Sequence, residues 1–191
     1  MDIPLGWQIF IQVILIAVNA VFASAEIAIV SMNELKLEKL AEDGNRRAKR
    51  LRKLTEKPAG FLATIQIAIT LSGFLGSAFA ADNFSDVIVR WLVDDLGVQI
   101  KESTLNTIAV IVITIILSYV TLVFGELVPK RVAMKKTQQI SLGVSGLISV
   151  SSKFFAPLVW LLTASTNLVL RILRIDPNGD DEEVSEEEIR M

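Results

Sequence analysis

Apolar residues fall along this chain in long unbroken runs, and the charges gather between the runs instead of alternating with them. Ile9 to Met32 carries a single charge, Glu26; Ala59 to Ala81 carries none; and the stretch after Glu102 is uncharged until Glu126. Each run is close to the roughly 20 residues that an α-helix needs to cross a hydrocarbon layer about 30 Å thick. The pattern therefore predicts an all-α integral membrane protein with three transmembrane helices at about 9–32, 59–81 and 104–128. Trp7, just before the first run, suits an interfacial anchor, and Tyr119 adds little.

The rest of the apolar sequence, 139–175, does not read as a fourth simple span. Pro157 divides it into pieces of about 17 residues, near or below the spanning limit. Lys153, Arg171 and Arg174 also favour a juxtamembrane or re-entrant helix pair. The polar connections have helices of their own. Asn33 is placed to cap a helix bearing Leu35, Leu37 and Leu40, Gly44-Asn45 reads as a turn, and Ala48, Leu51 and Leu54 mark a second, basic amphipathic helix. Beyond the second span, Phe84, Val87, Ile88, Trp91 and Leu92 recur at helical spacing, which predicts a separate interfacial helix capped by Asn83 or Ser85.

Charge orients this arrangement. Nine Lys and Arg residues between Lys36 and Lys57, and Lys130, Arg131, Lys135 and Lys136 after the third span, mark both connections as cytoplasmic. The connection from Asn83 to Lys101 is acidic and the N-terminus carries only Asp2, so both are expected outside, with the C-terminus in the cytoplasm of a plasma (inner) membrane. The net charge of -2 hides a basic body, because eight acids and no base lie between Asp176 and Glu188. Those residues, 176–191, read as an acidic linker after a membrane domain spanning 1–175. Ser185 with Glu188 has the pattern of a capping box, the start of a helix leading into a further domain.

Composition limits the chemistry. With no Cys and no His, there is no thiolate or imidazole for a nucleophile, base or zinc ligand. No span contains Asp, so a paired-aspartate intramembrane protease is excluded, and an enzyme is not expected. The charge balance also speaks against nucleic acid as a partner; the lipid bilayer is the expected one.

Glu26 and Glu126 are the ionisable residues within or at the edge of the predicted spans. An intramembrane charge costs about 2.5–3.5 kcal/mol on insertion scales, so its default reading is functional. Glu126 also stands four residues before Lys130, which permits a plain ion pair. Pro129 has no N–H, so the carbonyl of Gly125 loses its helical partner, and a freed carbonyl beside a carboxylate is half of a hard-cation site. Neutral oxygens at helical spacing are available for the other half. Gln66, Thr70, Gly73 and Ser77 form one stripe; Thr107, Thr114, Ser118, Thr121 and Gly125 form another; Asn19, Ser24 and Glu26 lie on the first span. Such an all-oxygen inventory suits Mg2+, Ca2+ or alkali ions. The small residues Ala68, Ser72, Gly76 and Ala80 read as a close helix contact or a dimer face.

Four segments carry a family likeness: Phe22-Ala-Ser-Ala-Glu26, the basic hairpin with its Glu42-Asp-Gly-Asn45 turn, Gln66-Ile-Ala-Ile-Thr70, and Gly125-Glu-Leu-Val-Pro-Lys130. In these the chain resembles the CNNM/CorC family of magnesium transporters, whose bacterial members have been labelled hemolysin-like. The resemblance implies a homodimer, Mg2+ export coupled to Na+ entry, and nucleotide binding by a CBS-pair domain beyond this chain. It implies ion ligands at Gly125 and Glu126, and more weakly at Ser24, with Thr70 standing where magnesium-binding relatives often have Asn. Glu26 joins this ligand set from its place in the span, with Pro129, Gln66 and Lys130 shaping it. The Gln-Ile-Ala-Ile-Thr pattern leaves an organic-cation (polyamine) exporter open, and a non-transporting Mg2+ sensor is the remaining alternative.

The topology has a direct check. Asn45→Cys and Gly97→Cys, introduced singly into a chain free of native cysteine, should react with an impermeant thiol reagent from opposite sides of the membrane. Labelling of both from outside would end the assignment.

Overall fold

The computed structural model describes residues 4–91, 93 and 101–175. Its described residues form α-helices joined by short turns. Helix α1 (Leu5–Val30), α4 (Pro58–Arg90) and a rod running from Ser103 to Lys135 are each long and apolar enough to cross a membrane. The rod is not uniform. It begins as α5 (Glu102–Leu122), widens to a π-helical turn over Val123–Leu127 and continues as α6 (Val128–Lys135).

Local sequence signals account for the short helices. The Asn33 side chain accepts from the Lys36 N–H at 2.9 Å and starts α2 (Glu34–Glu42). Asn45 accepts from Arg47 and Ala48 and starts α3 (Arg46–Thr55). Between them Gly44 has φ +88°, a left-handed conformation that glycine adopts without steric cost. Pro157 sits in the first turn of α8 (Ala156–Ile172), where no N–H is needed, and α8 bends by 68° from α7 (Thr137–Phe154). The expected helix pair is therefore present, as a broken unit rather than a straight span.

One expectation is corrected. The second span does not stop near Ala81 for a separate helix capped by Asn83 or Ser85; α4 runs on without interruption to Arg90. Asn83 donates to the Phe79 carbonyl at 2.7 Å and Ser85 to the Ala81 carbonyl at 2.7 Å, so both side chains bond back inside the helix instead of opening a new one. Phe84, Val87, Ile88 and Trp91 fall on this extension and at its end. Leu92, the 94–100 part of the acidic connection and the 176–191 linker lie outside the described residues.

The densest packing lies at the end of the bundle that carries the basic helices. There Phe22, Ala25 and Ile29 of α1 meet Leu37 and Ala41 of α2, Ala48 and Leu51 of α3, Phe61 and Ile65 of α4, and Ile148 of α7. At the opposite end, Val89 of α4 packs on Leu105 and Ala109 of α5. Ala68, Ser72, Gly76 and Ala80 of α4 are all buried, and at Gly76 the helix packs closely on α1. A Cβ on Gly76 would stand 3.3 Å from Gln12 Nε2, so this small face serves contact within one chain. Outward, Ile14, Phe74, Ile111, Ile115 and Leu122 are exposed, as lipid-facing surface requires.

The basic hairpin is thus bolted to the spans by a few fully buried side chains. Leu51→Ala should cost about 2–4 kcal/mol, while Leu35→Ala, at a position 77% exposed, should stay near wild type. Thermal melting of the two variants in detergent checks the difference, and equal midpoints would show that the hairpin does not depend on this core.

Candidate functional site

The site begins with a proline that the third span has to accommodate. Pro129 offers no N–H and its ring crowds the carbonyl four residues earlier, so a regular α-helix cannot pass through Gly125 to Pro129 undisturbed. The chain widens instead: the Val128 N–H bonds to the Val123 carbonyl, a five-residue step. Such single π turns recur at functional sites because they re-aim backbone and side chains together.

Here the re-aimed groups face α1. The Gly125 carbonyl accepts from Asn19 Nδ2 at 3.2 Å, in a buried bond between residues 106 positions apart. Glycine is needed at 125, since a Cβ would lie 3.0 Å from Asn19 Nδ2 and 3.4 Å from Thr121 Cγ2. The other oxygen of that amide, Asn19 Oδ1, is buried with no hydrogen-bond partner among the described residues. Leaving it so costs about 1–3 kcal/mol.

One residue further, Glu126 Oε1 accepts from Lys130 Nζ at 2.8 Å. The same ammonium stands 3.1 Å from Glu26 Oε2 on α1. Two carboxylates thus share one ammonium, and the cluster carries a net charge of about -1. The three side chains are 26–36% exposed, so water reaches them.

Among the expected ligands, the structure brings Glu26 and Glu126 together with Lys130 as the bridge and Pro129 shaping the turn, while the Gly125 carbonyl is taken by Asn19. The ion pair of Glu126 with Lys130 is present, and Lys130 also reaches Glu26. Ser24 and Thr70 are engaged locally. The Ser24 hydroxyl donates to the Val21 carbonyl of its own helix at 2.9 Å, and Thr70 Oγ1 accepts from Gln66 Nε2 at 3.4 Å. Thr70 nonetheless shares a cleft with Glu126. That cleft, of about 470 Å³, is where the two polar stripes meet: Thr70, Gly73 and Ser77 from α4 line it opposite Thr114, Ser118 and Thr121 from α5. Gln12 of α1 lines it too. Sequence reasoning passed over Gln12; its signal was a buried-face series of amides, Gln8, Gln12 and Asn19, in an otherwise apolar helix.

No group of three or more His, Cys, Asp or Glu side chains is close enough to hold a metal among the described residues. Any metal here has to combine the two carboxylates with neutral oxygens.

The fold and site define a multi-span helical membrane protein with an ionisable cluster set at an irregular turn of one span. The chain belongs to the CNNM family: residues 10–191 match the family described as cyclin M transmembrane N-terminal domain. It is 38% identical over 96% of its length to a UPF0053 protein of Synechocystis, and 33% identical over 92% to the polyamine export protein of Haemophilus influenzae. A further UPF0053 protein of Haemophilus influenzae is 33% identical over 99% of the chain. The chain spans about two-fifths of the length of these curated relatives, which it covers to 40%, 40% and 41%.

The cluster predicts its own response to mutation. Lys130→Met leaves two facing carboxylates without a counter-charge and should cost on the order of 1–2 kcal/mol, less than a fully buried pair because water screens it. Adding Glu26→Gln should recover part of that loss. If the single variant melts like wild type in the absence of divalent cations, the bridge is idle.

Proposed function

We propose that this chain is the membrane domain of a cation transporter and that Mg2+ is its cargo. The observation that carries the reading is the sharing of the Lys130 ammonium by Glu26 and Glu126 where the third span widens into its π turn, with Glu126 lining a hydroxyl-rich cleft. Mg2+ gives up water reluctantly and is commonly held through one or two carboxylates while it keeps several waters. Two partly exposed carboxylates, one of them lining a cleft with neutral hydroxyls, suit that habit. Binding displaces the Lys130 ammonium, so the protein's own cation holds the place between cargo ions. The role is transport, not catalysis.

The driving force we assign is Na+ moving inward as Mg2+ leaves, in the inner membrane, with the basic hairpin in the cytoplasm. Two copies form the working unit, and nucleotide control belongs to a CBS-pair domain outside this chain. The family membership and the basic, aromatic and polar placements described above support this assignment.

A second reading has its own support. The two carboxylates already grip a primary ammonium, that of Lys130, and one relative is named a polyamine export protein. An aliphatic polyammonium ion is therefore the competing cargo.

Glu126→Gln keeps the side chain's size and removes its charge. In proteoliposomes it should abolish flux of the true cargo, with expression and melting temperature nearly unchanged. Parallel Mg2+ and putrescine flux, each with and without a Na+ gradient, identifies which cargo is lost. Wild-type flux of both in the variant refutes the site.

A further inference from the structure

We infer that Gln12 forms a second, uncharged cation subsite in the same cleft, one that takes a singly charged centre: an alkali-metal ion or a primary ammonium group. The inference rests on the transport reading above and adds a station to it.

Gln12 lies in the first third of the first membrane-spanning helix and is only 5% exposed. Its Oε1 is buried and has no hydrogen-bond partner among the described residues, although the residue lines the cleft. A buried amide oxygen left unpaired in a membrane span is costly, and it persists where something outside the chain completes it. The α4 backbone is cut back to make room for this side chain: Gly76 is buried against it, and a Cβ there would stand 3.3 Å from Gln12 Nε2. The remaining polar lining nearby is neutral as well, supplied by Ser77 of α4 and by Thr114 and Ser118 of α5.

Charge decides the occupant. The cost of stripping water from an ion rises with the square of its charge, so neutral oxygens that suffice for a monovalent centre hold a divalent one poorly. The carboxylates lie elsewhere. Gln12 precedes Asn19 by seven residues, about 10 Å along α1 at 1.5 Å per residue. The cleft thus has a charged end at Glu126 and a neutral end at Gln12. It suits a monovalent ion travelling separately from a divalent one, or the far ammonium of a diammonium ion whose near end lies between the carboxylates.

The test uses the 191-residue chain in lipid nanodiscs, melted in titrations of NaCl, putrescine dihydrochloride and MgCl2. N-methyl-D-glucamine chloride at matched ionic strength is the control, its cation being neither an alkali ion nor a primary ammonium. Wild type should gain saturable stability from Na+ or from putrescine beyond that control. Gln12→Leu should raise the half-saturating concentration of that cation by about tenfold and leave that for Mg2+ in place. Should Gln12→Leu fail to assemble, Gln12→Glu, which adds a charge at the same size, should lower it by about tenfold. A response to Na+ assigns the alkali ion, and a response to putrescine alone assigns the ammonium. The inference is overturned if neither cation exceeds the control, if the variants keep wild-type half-saturation, or if the Mg2+ response shifts in step. Loss of the Glu126 assignment in the flux assay is a separate result and leaves this one standing.

Discussion

The arrangement of this domain turns on one missing hydrogen: the N–H that Pro129 lacks inside a membrane-spanning helix. Where no bulk water is available to repair a broken backbone bond, the protein must find another donor or reshape the helix. It does both. The helix widens over Val123–Leu127, and α1 supplies the Asn19 amide to the Gly125 carbonyl. That contact joins the first span to the third, and it needs glycine at 125, where a Cβ would stand 3.0 Å from the Asn19 amide nitrogen. Further along the same two spans, Glu26 of α1 meets Lys130 of α6.

Close packing of α1 on its other side has the same origin in small residues. Ser72 and Gly76 let α4 come up against it, and Gln12 fills the space beside Gly76. With α1 held on both flanks, the cleft between α4 and α5 opens onto a wall that α1 provides. The hydroxyls of Thr70, Ser77, Thr114 and Ser118 are brought to one place by this geometry, with no help from their own sequence neighbours.

What was legible in the sequence was what is decided locally or by the bilayer. Three spans, the Asn33 cap, the Gly44-Asn45 turn and the break at Pro157 each depend on the bilayer or on residues within a few positions, and all are found. The sequence also pointed to Gly125, Glu126 and Pro129, because a proline's effect on the carbonyl four residues back is local. Asn83 and Ser85 misled for a physical reason: the same side chains that cap a helix also bond the carbonyl four residues back within one. The approach of Glu26 to Lys130, the Asn19 bond and the burial of Gln12 all depend on how α1 is rotated against distant helices. How the Ser24 and Thr70 hydroxyls are engaged was also not legible, because spacing along a helix does not say which way a hydroxyl turns once a backbone carbonyl or a neighbouring amide is within reach.

The charge of the cluster constrains how such a site works. Two carboxylates with Lys130 leave about one negative charge uncompensated in a partly dry place. Adding a divalent cation without moving Lys130 would reverse that sign, and removing Lys130 without an incoming cation would double the excess. For a divalent cation the arrangement of least charge would have the ion in and the ammonium out, so by electrostatics alone such an ion and Lys130 would be alternative occupants of the cluster. A monovalent cation obeys a different rule: it can enter beside Lys130 and bring the cluster near neutrality without displacing anything. The same three side chains therefore treat the two kinds of cation differently, by competition in one case and by addition in the other, before any difference in coordination geometry is considered.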